Sequence, residues 1–147
     1  MQNFDYMTPT RLIFGKGAVE KLPEAIQPYG EGLAIITPCW MRHILSEKTL
    51  PRFVKYGVNV FGIDATLPPR EIAEKAIQAT YDFFASIGIP MTLREVGIDS
   101  SRIDEMAHHV IEGWGLKDAW VPLSEADIAA IFRASLYPVR PVRAPTD

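Results

Sequence analysis

A single cysteine, Cys39, in 147 residues leaves no partner for an intramolecular disulfide. That excludes a disulfide-stapled scaffold and fits a reducing compartment. No cluster of Lys and Arg is present in a chain of net charge −3, so it offers no electrostatic footprint to a nucleic-acid backbone. The longest nearly apolar run, residues 32–41, is too short to cross a bilayer and is closed by Arg42. The opening MQNFDYMTPTR has no basic region followed by an apolar stretch, so no secretory leader is expected. Also lacking are a Gly-x-Ser-x-Gly elbow, a phosphate-binding P-loop, a Cys-x-x-Cys pair and a His-Glu-x-x-His run. These absences describe a soluble, cytoplasmic chain with neither a nucleic-acid nor a membrane partner.

What is present is mostly helical pattern. Residues 3–14 alternate roughly and are rich in aromatic and β-branched side chains, with Leu12, Ile13 and Phe14 the better strand. Gly15 and Gly17 punctuate it, and Ala18, Leu22 and Ile26 recur at helical spacing. Pro23 must kink that helix or mark its first turn. A strand, a glycine turn and a helix make half of a βαβ unit, and no second strand follows. From Glu31 the segment EGLAIITPCWMRHILSE is apolar on nearly all sides, as in a buried helix. A second helix is expected over 49–61, interrupted or relaxed at Gly57, and a third over 69–87, stopped by Gly88. Ser100 or Ser101 is expected to cap a helix carrying Ile103, Met106, Val110 and Ile111. Ser124 with Asp127 resembles a capping box ahead of a last helix carrying Ile128, Ile131, Phe132 and Leu136. The tail 137–147 repeats Pro-Val-Arg and is expected to be extended and disordered.

Candidate chemistry is sparse. Gly15-x-Gly17 between a strand and a helix has the start of a dinucleotide fingerprint, but Glu20 stands where the third glycine belongs and would face a pyrophosphate. A tight turn explains both glycines without a ligand. Asp104 and His108, four apart on a helix, could meet on one face and form half a metal site, whereas a metal normally takes three or four protein ligands. His109 points about 100° away from His108, and the pattern reads better as a solvated helix face. His43 is expected to make one hydrogen bond, and Cys39 to be a buried, inert thiol. No residue is assigned a catalytic, cofactor-binding or metal-binding role.

Two long stretches carry a resemblance. FDYMTPTRLIFGKGAVEKLPEAIQPYG resembles the N-terminal opening of iron-containing alcohol dehydrogenases of the NAD(P)H-dependent butanol dehydrogenase type. GEGLAIITPCWMRHILSEKTLPRFVKYGVNVFGID, with ATYDFFASIGIPMTLREVGID and LSEADIAAIFRASL, resembles the later part of the same family's helical domain. The resemblance implies a family in which a Rossmann-like unit binds NAD(P)H and a helical domain holds Fe²⁺ or Zn²⁺ by an Asp and three His. It also implies that a large middle segment, with the pyrophosphate loop and most of those ligands, is missing between the two stretches. Tyr29 occupies the place of the family's final ligand histidine.

The reading is therefore a mainly α fold: a bundle of five or six helices with a short N-terminal β segment, the remnant of a Rossmann-like unit. Residues 1–30 form a remnant of the cofactor domain, 31–136 part of the helical metal-binding-type domain, and 137–147 a proline-rich tail. The expected function is that of an internally deleted remnant of a metal-dependent alcohol dehydrogenase, inactive alone and needing no cofactor of its own. The alternatives are a helical interaction module pairing with itself or a full-length relative, and one piece of a split enzyme.

Overall fold

The computed structural model describes residues 22–114, 116 and 119–139, with the side chains of 22–31 and 114 left aside. Within these residues the chain forms five α-helices and one short 3₁₀ turn, and no strand. The helices are α1 (Leu22–His43), α2 (Leu50–Phe61), α3 (Pro69–Ser86), α4 (Ile103–Trp114) and α5 (Glu125–Ala134). The mainly helical fold expected from the sequence is the one observed. The expected strand around Leu12 and the tail from residue 140 onward lie outside the described residues.

Helix α1 begins one residue before Pro23, which therefore sits in the first turn, where a missing N–H costs nothing. The division expected between residues 30 and 31 falls inside α1, whose backbone is helical on both sides. Pro38 lies in its interior, fully buried, and deprives the Ala34 carbonyl of its usual N–H partner. Directly beside it in sequence, Thr37 Oγ1 donates to the Leu33 carbonyl at 2.7 Å. The helix survives these prolines because its second half is held from two sides, by α3 and by α5.

Helices α2 and α3 form an antiparallel hairpin. Gly57 faces Ile72 and Ala76, while Tyr56 O–H donates at 2.9 Å to Thr80 Oγ1, whose own proton goes to the Ala76 carbonyl. The expectation of a break at Gly57 is corrected: α2 runs through it, and the glycine is buried. Its role is close approach. A Cβ there would stand 3.0 Å from Ile72 Cγ2 and 3.2 Å from the Ile72 carbonyl oxygen. The true stop is Gly62, left-handed at φ 65°, where the Gly62 N–H donates to the Val58 carbonyl at 3.1 Å and the Ile63 N–H to the Gly57 carbonyl at 3.2 Å. Gly88 (φ 81°) does the same work after α3, with Ile89 N–H donating to the Phe84 carbonyl at 3.2 Å.

Helices α4 and α5 form the second antiparallel pair, since Asp104 meets Arg133 at 2.6 Å and His108 meets Glu125 at 3.2 Å. The expected serine cap before α4 is also corrected. Asp99 caps the 3₁₀ turn at Ser100–Arg102, its Oδ1 accepting from Ser101 N–H at 2.7 Å. An ionised carboxylate is the stronger acceptor for orphan N–H groups.

The core follows from this arrangement. Ile35 of α1 packs with Leu93, Ile103, Ala107, Ile128 and Phe132 against the α4–α5 pair. Met41, Ile44 and Leu45, at and after the other end of α1, pack with Phe53, Ala73 and Ile77 of the α2–α3 hairpin. A smaller third cluster joins Ala34 to Ile89 and Met91, flanked by Tyr81, Phe84 and Ile87. Helix α1 is thus the strut to which both hairpins attach.

Candidate functional site

The capping box expected at Ser124 and Asp127 is present in both directions. It also does more than cap. Asp127 Oδ2 accepts from Ser124 N–H at 2.9 Å, and Oδ1 meets His43 Nε2 at 3.0 Å. The N-terminus of α5 is therefore tied to the last turn of α1, a place where a basic side chain is favoured by the helix dipole. The Ser124 hydroxyl and N–H, and then His43, lower the Asp127 pKa from 3.8 to about 2. A depressed carboxylate stabilises the fold above its unfolded pKa, and that contribution disappears as pH falls through the folded value. Asp127 is 39% exposed, so solvent screening limits the effect to about 1 kcal/mol. Asp127→Ala is expected to lose that amount in urea unfolding at pH 7. At pH 2 or below the gap to the parent should close; a gap independent of pH would contradict the assignment.

His43 thus makes, with Asp127 among the described residues, the hydrogen bond expected of it. It lines, with Cys39 and Arg42 of α1, Ile131 and Ala134 of α5, and Tyr137, an open cavity of about 520 Å³. The chemistry of this cavity is muted. Cys39 is buried, and desolvation raises its thiol pKa, against a contact with Ser135 and the charge of Arg42. A raised thiol pKa means little thiolate and little nucleophilicity. Arg42 stands 3.4 Å from Glu74 of α3. A smaller apolar cavity of about 240 Å³ lies between Trp40, Phe53, Tyr56 and Trp120, with the Arg52 guanidinium 4.9 Å from the Trp120 ring centroid.

Asp104 and His108 are not brought together. Asp104 pairs with Arg133 on α5. His108 stands between Glu112, at 3.3 Å, and Glu125, at 3.2 Å. Hydrogen bonding to Glu125, then the charges of Glu112 and Glu125, raise its pKa above 6.5. Both groups are spent on an exposed seam between α4 and α5, the solvated face that the spacing suggested. Sequence reasoning missed Glu125, because its link to His108 spans seventeen positions and carries no local signal. Gly15, Gly17 and Glu20 lie outside the described residues, and Tyr29 falls within α1.

These features define a small helical domain whose polar side chains tie helices together. No described helix is long and apolar enough to cross a membrane. The family description "Fe-containing alcohol dehydrogenase family, C-terminal" matches residues 25–136, and the chain belongs to that family. It is 44% identical over 108 residues to NADH-dependent butanol dehydrogenase A of Clostridium acetobutylicum, covering 73% of this chain and 28% of that protein. It is 41% identical over 110 residues to butanol dehydrogenase B of the same organism, covering 74% and 28%. To probable NADH-dependent butanol dehydrogenase 2 of Bacillus subtilis it is 31% identical over 132 residues, covering 84% and 33%. The chain therefore spans about a third or less of the length of these relatives.

An iron-containing family implies a divalent metal. Among the described residues no three of His, Cys, Asp and Glu converge to hold one. His108 has opposed ring nitrogens facing different carboxylates, and Asp104 faces a guanidinium. The donor set on the described helices does not fit a metal centre.

Proposed function

We propose that this chain is a remnant of a metal-dependent alcohol dehydrogenase and does not by itself carry out the NAD(P)H-linked interconversion of alcohol and aldehyde. One observation carries the reading. Several described side chains that could serve as ligands are engaged with other side chains instead: His43 with Asp127 and Asp104 with Arg133 between helices, and His108 with Glu125 of α5 and Glu112 of its own helix. Metal-assisted hydride transfer needs a cation fixed by several ligands, an open position for the substrate oxygen and a nicotinamide held beside it. Tyr29, at the position that the resemblance assigns to a ligand histidine, adds to the deficit.

The test is loss of nicotinamide absorbance with butyraldehyde, NADH or NADPH and added Fe²⁺ or Zn²⁺, in protein from a host without its own aldehyde reductases. Neither the parent nor Tyr29→His should turn over above background, because one restored imidazole leaves a metal mostly hydrated. Turnover by the parent would end the remnant reading. Turnover by Tyr29→His alone would require a metal site built from residues set aside above. The second reading, an interaction module or a piece of a split enzyme, is favoured by the exposed large apolar residues Leu33 and Phe83.

A further inference from the structure

The seam between α4 and α5 is tied at two places that differ in kind. Near the start of α4, Asp104 meets the Arg133 guanidinium of α5 at 2.6 Å. A guanidinium does not deprotonate in a protein, so pH leaves the basic half of this tie unchanged. At the other end of the pair the basic partner is a histidine. His108 Nδ1 stands 3.2 Å from Glu125 Oε2, and its Nε2 stands 3.3 Å from Glu112 Oε1. Glu125 is the first residue of α5, whereas Glu112 lies one turn further along α4 itself. Neutral imidazole has one N–H and one lone pair, while imidazolium has an N–H on each nitrogen. With a carboxylate at each nitrogen, the neutral ring can serve one of them and turns a lone pair toward the other. The arrangement is complementary to the protonated ring.

The neighbouring charges are engaged elsewhere. On α4 the His109 ring lies 6.5 Å away between centroids, and Asp104, one turn earlier, faces Arg133. In the 3₁₀ turn packed on α4, Arg102 gives Glu105 two hydrogen bonds of 3.0 Å. On α5, Asp127 faces Ser124 and His43. We infer that His108 is a proton-operated clasp between two helices. As imidazolium it joins the first turn of α5 to α4 through Glu125; as the neutral ring it releases that end of the seam while Asp104 and Arg133 hold the other. Glu125 is the main partner, because a basic residue four positions before an acidic one is the weaker order within a helix, as in His108 and Glu112. The Glu125 hydrogen bond, with the charges of Glu112 and Glu125 behind it, keeps the ring protonated above the usual 6.5. A raised folded pKa gives stability that is complete below the unfolded value and lost as pH rises through the folded one. The clasp is therefore closed at about pH 5.5 and open at about pH 9.

Urea unfolding of the full chain tests the clasp, read as the ratio of unfolding constants between His108→Gln and the parent. At about pH 5.5 the variant should unfold more readily by about two- to fivefold, the scale of an exposed charge pair. At about pH 9 the ratio should be near one. Circular dichroism should not change, because His108 is exposed. A double-mutant cycle then locates the partner. In a Glu125→Gln background the ratio at the lower pH should fall most of the way to one, whereas in a Glu112→Gln background most of it should persist. A magnetic resonance titration of the histidine ring protons gives a second readout: the His108 midpoint should drop toward the ordinary histidine value in Glu125→Gln. A ratio that is the same at both pH values overturns the proposal, because a side chain acting by packing alone has no proton dependence. So does a ratio lost with Glu112→Gln and kept with Glu125→Gln, since His108 would then serve its own helix. A His108 midpoint unmoved by Glu125→Gln overturns it as well.

Discussion

Gly57→Val is expected to destabilise the protein by about 3 kcal/mol, lowering Tm by roughly 10 °C. At this position α2 lies so close to α3 that a Cβ would meet Ile72 Cγ2 at 3.0 Å, Ala76 Cβ at 3.1 Å and the Ile72 carbonyl oxygen at 3.2 Å. The methyl group of Ile72 can rotate away, but the carbonyl belongs to the backbone of α3 and moves only with the helix. Widening the crossing would also loosen the neighbouring packing of Phe53 on Ala73 and Ile77. Gly57→Ala sets two terms against each other. Alanine is the better helix former by about 1 kcal/mol, while the contact costs about 1–3 kcal/mol. A net loss of about 1 kcal/mol is expected. Urea unfolding of both variants decides the matter: if Gly57→Ala is stabilising and Gly57→Val is neutral, the helices do not cross as closely as described.

The second large effect is at Ile35, where Ile35→Ala should cost about 3 kcal/mol. The side chain is 1% exposed and joins α1 to Leu93, Ile103, Ile128 and Phe132. Its removal leaves a cavity at the point where α1 is fastened to the α4–α5 pair, and stability of small domains is only about 5–15 kcal/mol in total. Leu33→Ala, two residues away, should change stability by less than about 0.5 kcal/mol, because that side chain is 71% exposed. Equilibrium unfolding of the pair measures the difference. Equal losses at the two positions would mean that the exposed face of α1 is covered in solution, by a partner or by a second copy.

Those two residues show where sequence pattern stops being informative. Leu33 and Ile35 sit in one apolar run, GLAIITPCWM, that periodicity reads as buried on nearly all sides. The spacing identifies a helix, but an apolar face all round gives no phase to say which side meets the core. Only the placement of α1 between the two hairpins decides that Ile35 is inside and Leu33 outside. Gly57 failed for a related reason. A glycine in a helical pattern signals weakened propensity as readily as close approach, and the two are told apart only by what stands opposite.

Local chemistry, by contrast, was legible. The capping box at Ser124 and Asp127, the helix start at Pro69, the left-handed stop at Gly88 and the buried Cys39 each follow from a few neighbouring residues. The mainly helical class and the kinship with iron-containing alcohol dehydrogenases were also written in the chain, because periodicity and long shared runs need no third dimension. The tertiary structure alone decided the partners of the polar groups. His43 reaches Asp127 across eighty-four positions and Arg133 reaches Asp104 across twenty-nine, and in place of the Asp104–His108 pair suggested by spacing Asp104 faces Arg133 while His108 faces Glu112 and Glu125. Caps and periods are set by neighbours in sequence, whereas charge pairing between helices is set by which helices fold against each other.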